Sequence, residues 1–314
     1  MKISKDIFRF VEYLIKQRSI IIGILVFFIM SYMLNAFFFD SVPVKLKNNI
    51  TVFISGDSQI KYGLNPDIIK NSINMGQDVE PYFITYNKLK YVYKYNKQLK
   101  KVIVPCTPMH FIRTFDNVFI SKVYVNEMLR RAMYLVKPED RKLLDLKWID
   151  YAEIFIRYKF IINYKFFVNY FNKVLLKKEG LPDYPFIGEY TRNPDIPMGK
   201  IDVNYLIKEK FEGYTEPRGL IDATYLDSIV KFSQDNDLQL YLVEMPIPKE
   251  LYEKIPPDVI AYTDKKVRNY QVQGDVMFIN CLTCFNNEYF VDFGHLTGKG
   301  SDKCSSFIEK KINN

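Results

Sequence analysis

From Ser19 to Phe39 the chain carries no charged side chain, and most positions are Ile, Leu, Val, Phe or Met. As a helix rising about 1.5 Å per residue, this stretch is roughly 31 Å long, enough to cross the hydrocarbon core of a bilayer. It is too long for the apolar part of a cleavable signal peptide, and no small-x-small cleavage site follows it. The alternative is a buried core helix, but such helices rarely run this far without a charge. Lys2, Lys5, Arg9, Lys16 and Arg18 precede the stretch, whereas only Lys45 and Lys47 follow it closely. The positive-inside rule therefore assigns residues 1–18 to a cytoplasmic tail and 19–39 to a single-pass anchor. Residues 40–314 become a domain on the far, periplasmic or extracytoplasmic, side.

That domain has to be built from ordinary globular material. Of 314 residues, 48% are apolar and 25% charged, the balance of a chain that buries a real core. Wholesale disorder, collagen and a small disulfide-stapled scaffold are excluded. The 44 Lys and Arg exceed the 36 Asp and Glu, giving a net charge of +8. Much of the excess belongs to the tail and to one insertion. No basic stripe accompanies a recognisable nucleic-acid-binding element, so nucleic acid is not an expected partner.

Beyond the anchor, short apolar runs alternate with helical patterns. Strands are expected at Asn49–Ser55, Ser72–Met75, Lys101–Cys106, Leu238–Glu244 and Asp275–Asn280. Helices are expected from Gly56 to Lys70, over Tyr82–Gln98, Leu220–Gln234 and Val259–Tyr270, and from about Gly300 to Ile312. Nearly continuous apolar strands alternating with helices argue for an α/β fold, a parallel sheet of about five strands covered on both faces. An insertion of roughly a hundred residues, about 110–218, interrupts this rhythm. Within it Val123–Lys137 reads as helical, and Lys142–Lys178 interleaves aromatics, Trp148, Tyr151, Phe155, Tyr158, Phe160, Tyr164, Phe167, Tyr170 and Phe171 among them, with Lys and Arg. Such a helix either docks on a membrane surface or packs its aromatics onto the α/β body, and packing is the plainer reading. The proline-rich stretch Asp183–Pro217 reads as irregular.

Chemistry enters where the first strand ends, at Gly56-Asp57-Ser58. A serine at the carboxyl edge of a parallel strand, opening a helix, stands where α/β folds bind ligands. Its own N–H joins the unpaired donors of a helix N-terminus. The plainer role of Asp57 and Ser58 is to cap that helix. Near the other end lies Asp292-Phe293-Gly294-His295, holding one of only two histidines in the chain. A serine hydroxyl needs a base near neutral pH, and the base needs an acceptor on its second ring nitrogen. Asp292 can supply that acceptor if Phe293-Gly294 curls.

The pairing of Gly56-Asp57-Ser58 early with Asp292-x-x-His295 late in a five-strand α/β unit resembles the SGNH (GDSL) hydrolase superfamily. The resemblance covers about Asn49–Cys106 and Leu220–Ile312. It implies a three-layer flavodoxin-like fold and acyl transfer through a serine acyl-enzyme: Ser58 as nucleophile, His295 as base, Asp292 as its orienter. Ser58 and Gly76, the latter in Asn74-Met75-Gly76-Gln77, would supply oxyanion donors, and no cofactor is called for. The family's third block carries an Asn, whereas this chain has Pro105-Cys106-Thr107-Pro108-Met109-His110. Either His110 or Thr107 substitutes for that Asn or the hole holds two donors only, and Asp57, Thr107 and His110 are the candidate pocket residues. The run Gly56-Asp57-Ser58-Gln59 with Gly63-Leu64-Asn65-Pro66 is similar to membrane-anchored SGNH-like envelope proteins that work beside membrane-bound O-acyltransferases. It implies an acylated glycan or other ester as substrate.

Two function classes follow: a tethered serine esterase or O-acyltransferase, and a non-catalytic SGNH-like binding or assembly subunit. A metal hydrolase fits poorly, because two His and scattered carboxylates lack ligand spacing. Cys106, Cys281, Cys284 and Cys304 are either disulfide partners in an exported domain or small apolar fillers.

Overall fold

Five short strands lie side by side in the computed structural model, which describes residues 15–35, 44–111, 188–199, 220–274, 276–282 and 285–313 with a few isolated positions besides. In chain order the elements are α1 (Arg18–Asn35), β1 (Val52–Ile54), α2 (Ser58–Gly63), β2 (Ser72–Asn74), α3 (Tyr82–Tyr95) and β3 (Lys101–Pro105). Then follow α4 (Leu220–Asp235), β4 (Gln239–Glu244), a single turn α5 (Lys249–Tyr252), α6 (Pro257–Val272), β5 (Val276–Asn280) and α7 (Gly298–Ile312). All strand pairs are parallel, in the order β2-β1-β3-β4-β5. That is the flavodoxin-like order, and it makes β1 and β3 the strands flanking the topological switch point.

Side-chain alternation along the strands separates two cores. Phe53, Val102, Val104, Leu240 and Leu242 face one side, against Leu89 and Val92 of α3, Leu226 and Ile229 of α4, and Val267 of α6. Val52, Ile54, Ile103, Tyr241 and Val243 face the other, against Ile60 of α2 and Cys304, Ile308 and Ile312 of α7. The strands are apolar on both faces because both faces are covered, as the near-continuous runs required. The three-layer α/β/α architecture is therefore as expected. Cys106 and the pair Cys281 and Cys304 are buried thiols in these two cores, the filler role, while Cys284 lies outside the described residues.

Most elements fall within a few residues of their expected bounds, but α2 does not. It was expected to reach Lys70 and ends at Gly63. Pro66 has no N–H to continue the helix and displaces the residue before it from helical geometry. Leu64 is already extended, and Asn65 Oδ1 accepts the Asp67 N–H at 3.0 Å to open a turn. Asn74 closes the helix end, its Nδ2 donating to the Ile60 and Leu64 carbonyls at 2.8 and 2.7 Å.

The chain divides into two compact units, Met1–Pro43 with Leu146–Leu181, and Val44–Asp145 with Pro182–Asn314. In the first, α1 covers most of the uncharged segment, and residues 36–39 lie outside the described residues. Ile20, Ile22, Leu25, Phe27, Ile29 and Met30 are all exposed, so α1 presents apolar side chains on every face. Among the described residues no helix is long and apolar enough to cross a membrane. The helix expected at 123–137 and nearly all of the aromatic stretch 142–178 lie outside the described residues. Residues 188–199 are described and hold no helix or strand, in keeping with an irregular reading of that stretch.

Candidate active site

At the carboxyl edge of β1 the chain has to turn sharply to start α2. Gly56 makes the turn at φ +153°, a conformation that L side chains rarely adopt, and a Cβ there would lie 2.3 Å from Pro105 Cδ. Gly56→Ala is expected to cost about 2–5 kcal/mol through strain and overpacking, seen as a lowered thermal midpoint. Asp57 then serves as N-cap, its Oδ1 accepting the Gln59 N–H at 3.0 Å. Capping by Asp57 leaves Ser58 as the first helical residue, with a backbone N–H that has no intrahelical acceptor.

The loop before α7 delivers the other two groups. Phe290 bridges Leu296 and the Val291 N–H donates to the His295 carbonyl at 2.9 Å, so residues 291–295 form a tight bend. Inside it Asp292 Oδ1 accepts the N–H groups of Gly294 and His295 at 2.8 and 2.9 Å. The same carboxylate meets His295 Nδ1 at 2.8 Å through Oδ2. On the far side of the ring, His295 Nε2 lies 2.8 Å from Ser58 Oγ. Ser58, His295 and Asp292 are thus one hydrogen-bonded chain, assembled across 237 residues of sequence.

Electrostatics reinforce this order. Burial pushes the Asp292 carboxyl up, but hydrogen bonds from the His295 ring and the two backbone N–H groups outweigh it and hold the carboxyl below its usual range. Burial likewise disfavours the His295 imidazolium. The hydrogen bond and charge of Asp292, with lesser help from Asp57 and Asp78, outweigh that and raise the imidazole above its ordinary 6.5.

Three residues that sequence reasoning missed frame the ring. Tyr62, one turn beyond Ser58 on α2, packs edge-on against His295 with centroids 5.2 Å apart. Its i+4 spacing from Ser58 was the available signal. Gln59 Nε2 donates to the Gly294 carbonyl at 3.4 Å, joining the serine helix to the histidine loop. Asn193 Nδ2 donates to the Leu296 carbonyl at 2.9 Å, beside His295. Asn193 belongs to the strap 188–199, which also donates the Thr191 N–H to the Lys61 carbonyl of α2 at 3.1 Å. Arg192 Nη1 from the strap reaches Asp302 of α7 at 2.7 Å.

The remaining expected pocket residues are placed differently. The Gly76 N–H, expected to face an oxyanion, donates to Asn74 Oδ1 at 2.9 Å, so any oxyanion has to share it. Thr107 and His110, both buried, turn toward each other: His110 Nδ1 accepts the Thr107 N–H at 3.2 Å and lies 3.0 Å from its hydroxyl. His110 Nε2 lies 3.3 Å from Asp57 Oδ2. His110 therefore links Thr107, in the loop after β3, to the Asp57 N-cap of α2. Among the described residues no group of three or more His, Cys, Asp or Glu could hold a metal ion.

No protein-family model matches the chain, and no curated protein matches it. A solved structure, a GDSL-like lipase from Bacteroides thetaiotaomicron, is similar over 90% of this chain and 97% of that one, at 12% identity and a TM-score of 0.39. So distant a likeness says nothing about chemistry, which has to be read from the site itself.

Proposed function

We propose that this chain is a serine-dependent acyl ester hydrolase or O-acyltransferase. One observation carries the reading: the continuous chain of Ser58 Oγ, His295 Nε2, His295 Nδ1 and Asp292 Oδ2, with both contacts at 2.8 Å. An alcohol, an imidazole and a carboxylate in that order make an activated nucleophile. His295 Nε2 takes the hydroxyl proton as Ser58 Oγ attacks an ester carbonyl. The Ser58 N–H stabilises the resulting oxyanion, with the Gly76 N–H shared between it and Asn74. Collapse breaks the ester C–O bond, and the proton on His295 leaves with the alcohol. The acyl group on Ser58 is then passed to water or to a second hydroxyl, with His295 again acting as base.

The substrate class and location are part of the same proposal. The order of Gly56-Asp57-Ser58-Gln59 and Gly63-Leu64-Asn65-Pro66 behind an uncharged segment supports an acylated envelope glycan as substrate. A membrane-bound O-acyltransferase is the partner such a glycan calls for. The uncharged run 19–39 and the exposed apolar side chains around α1 support a membrane anchor, with the cationic residues of the tail on the cytoplasmic side. A second reading, a non-catalytic binding subunit, is favoured by the occupied Gly76 N–H and by Thr107 and His110 being hydrogen-bonded to each other.

A fluorophosphonate probe separates the two. The enzyme reading expects covalent label on Ser58 and turnover of short-chain p-nitrophenyl esters by the purified full chain. An unlabelled Ser58 in folded protein ends the catalytic assignment.

A further inference from the structure

Behind the site, in the core, lies an ion pair that the proposed chemistry does not use. Lys88 of α3 and Glu80, from the loop after β2, are fully buried, with side chains 1% and 0% exposed, and they form a short salt bridge. Lys88 Nζ also donates to the Met75 carbonyl at 2.6 Å. Glu80 Oε1 accepts the hydroxyls of Ser55 at 2.8 Å and Thr85 at 2.7 Å. The four side chains therefore tie together the end of β1, the loop after β2 and the first turns of α3. Burial pushes the Glu80 carboxyl up and the Lys88 ammonium down, each opposed by the other's charge.

A buried ion pair contributes little net stability, and a well-packed apolar pair of similar volume does as well or better. What an apolar pair would not do is grip a particular carbonyl. Met75 O and the Gly76 N–H belong to one planar trans peptide and point in opposite directions. Pulling the oxygen inward onto Lys88 turns the N–H outward. There it meets Asn74 Oδ1, and Gly76 sits against α2, where a Cβ would lie 2.8 Å from Lys61 N, one turn from Ser58. Ser55, on the other arm of Glu80, lies three residues before the nucleophile.

We infer that Glu80 and Lys88 are positioning residues that aim the 75–76 peptide, and with it the Gly76 N–H, at the oxyanion formed over Ser58. This rests on the serine-esterase reading above and deepens it. The device acts on the transition state, so it sets kcat and leaves ground-state binding alone.

The decisive variant is Glu80→Gln/Lys88→Met in the full chain, which removes both charges together and takes the ammonium from Met75 O, leaving that carbonyl only the longer contact from the Ser55 hydroxyl at 3.4 Å. Expected are a thermal midpoint near that of the wild type, kcat on a p-nitrophenyl ester lowered tenfold or more, and KM within about twofold. Glu80→Gln alone keeps the Lys88 amine on Met75 O and is expected to hold kcat within about threefold. A double variant with wild-type kcat overturns the inference, as does an equal loss in Glu80→Gln. Should the double variant fail to fold, Lys88→Met alone replaces it, keeping the Glu80 bonds to Ser55 and Thr85 while removing the ammonium from Met75 O. A severalfold lower kcat at constant KM supports the inference there, and an unchanged kcat overturns it. A wild type that neither turns over ester nor takes label on Ser58 removes the esterase reading and this inference with it. An active wild type matched by its variants removes this inference alone.

Discussion

Ser58→Ala will abolish ester turnover and probe labelling while leaving the thermal midpoint close to that of the wild type. The hydroxyl contributes one contact, to His295 Nε2, on a side chain that is not fully buried. The cap of α2 belongs to Asp57, so the helix start survives the substitution. Loss of a serine nucleophile removes the covalent route, and kcat is expected to fall by at least roughly 10⁴-fold. Turnover and circular dichroism on the same preparation check both halves. Retained turnover would show that the measured activity arises elsewhere.

Asp292→Asn carries the second large effect. The amide oxygen can still accept from the Gly294 and His295 N–H groups, so the bend at 291–295 persists, but the charge that fixes the imidazole is gone. A loss of about 10³–10⁴-fold in kcat is expected from the wrong tautomer and an unstabilised imidazolium. The pH profile gives an independent reading. His295 works as a base only when neutral, and Asp292 raises its pKa above 6.5. Wild-type kcat/KM therefore rises with pH through a midpoint above 6.5. In Asp292→Asn the main cause of the raise is removed, so the midpoint moves to lower pH even as the plateau collapses. A midpoint that stays in place would separate His295 from the rate.

The parts of this protein legible in its sequence are those whose physics is local. Strands buried on both faces have to be apolar throughout, so Val52–Ile54 and Leu240–Val243 declared themselves. Asp292 and His295 close on each other within four residues, and Gly56 marks its own turn. Ser58 and His295, by contrast, meet only because parallel topology brings the ends of β1 and the loop before α7 to one edge. The α2 stop at Gly63 was readable from Pro66, which has no N–H to continue a helix. Lys88 was not readable: a lysine on an amphipathic helix looks like a solvated one until the carboxylate of Glu80 and the Met75 carbonyl are seen around it. Nor was the role of Asn74, whose amide serves both the end of α2 and the Gly76 N–H.

The strap 188–199 has a practical bearing on protein engineering. Its bonds reach the turn after the nucleophile, the residue beside the base and the closing helix, so the intervening hundred residues are no detachable cassette. A minimal domain spliced from residue 111 directly to 220 would delete three of the braces around the reaction centre. Any shortened version for crystallisation or screening should graft Gly188–Gly199 back in.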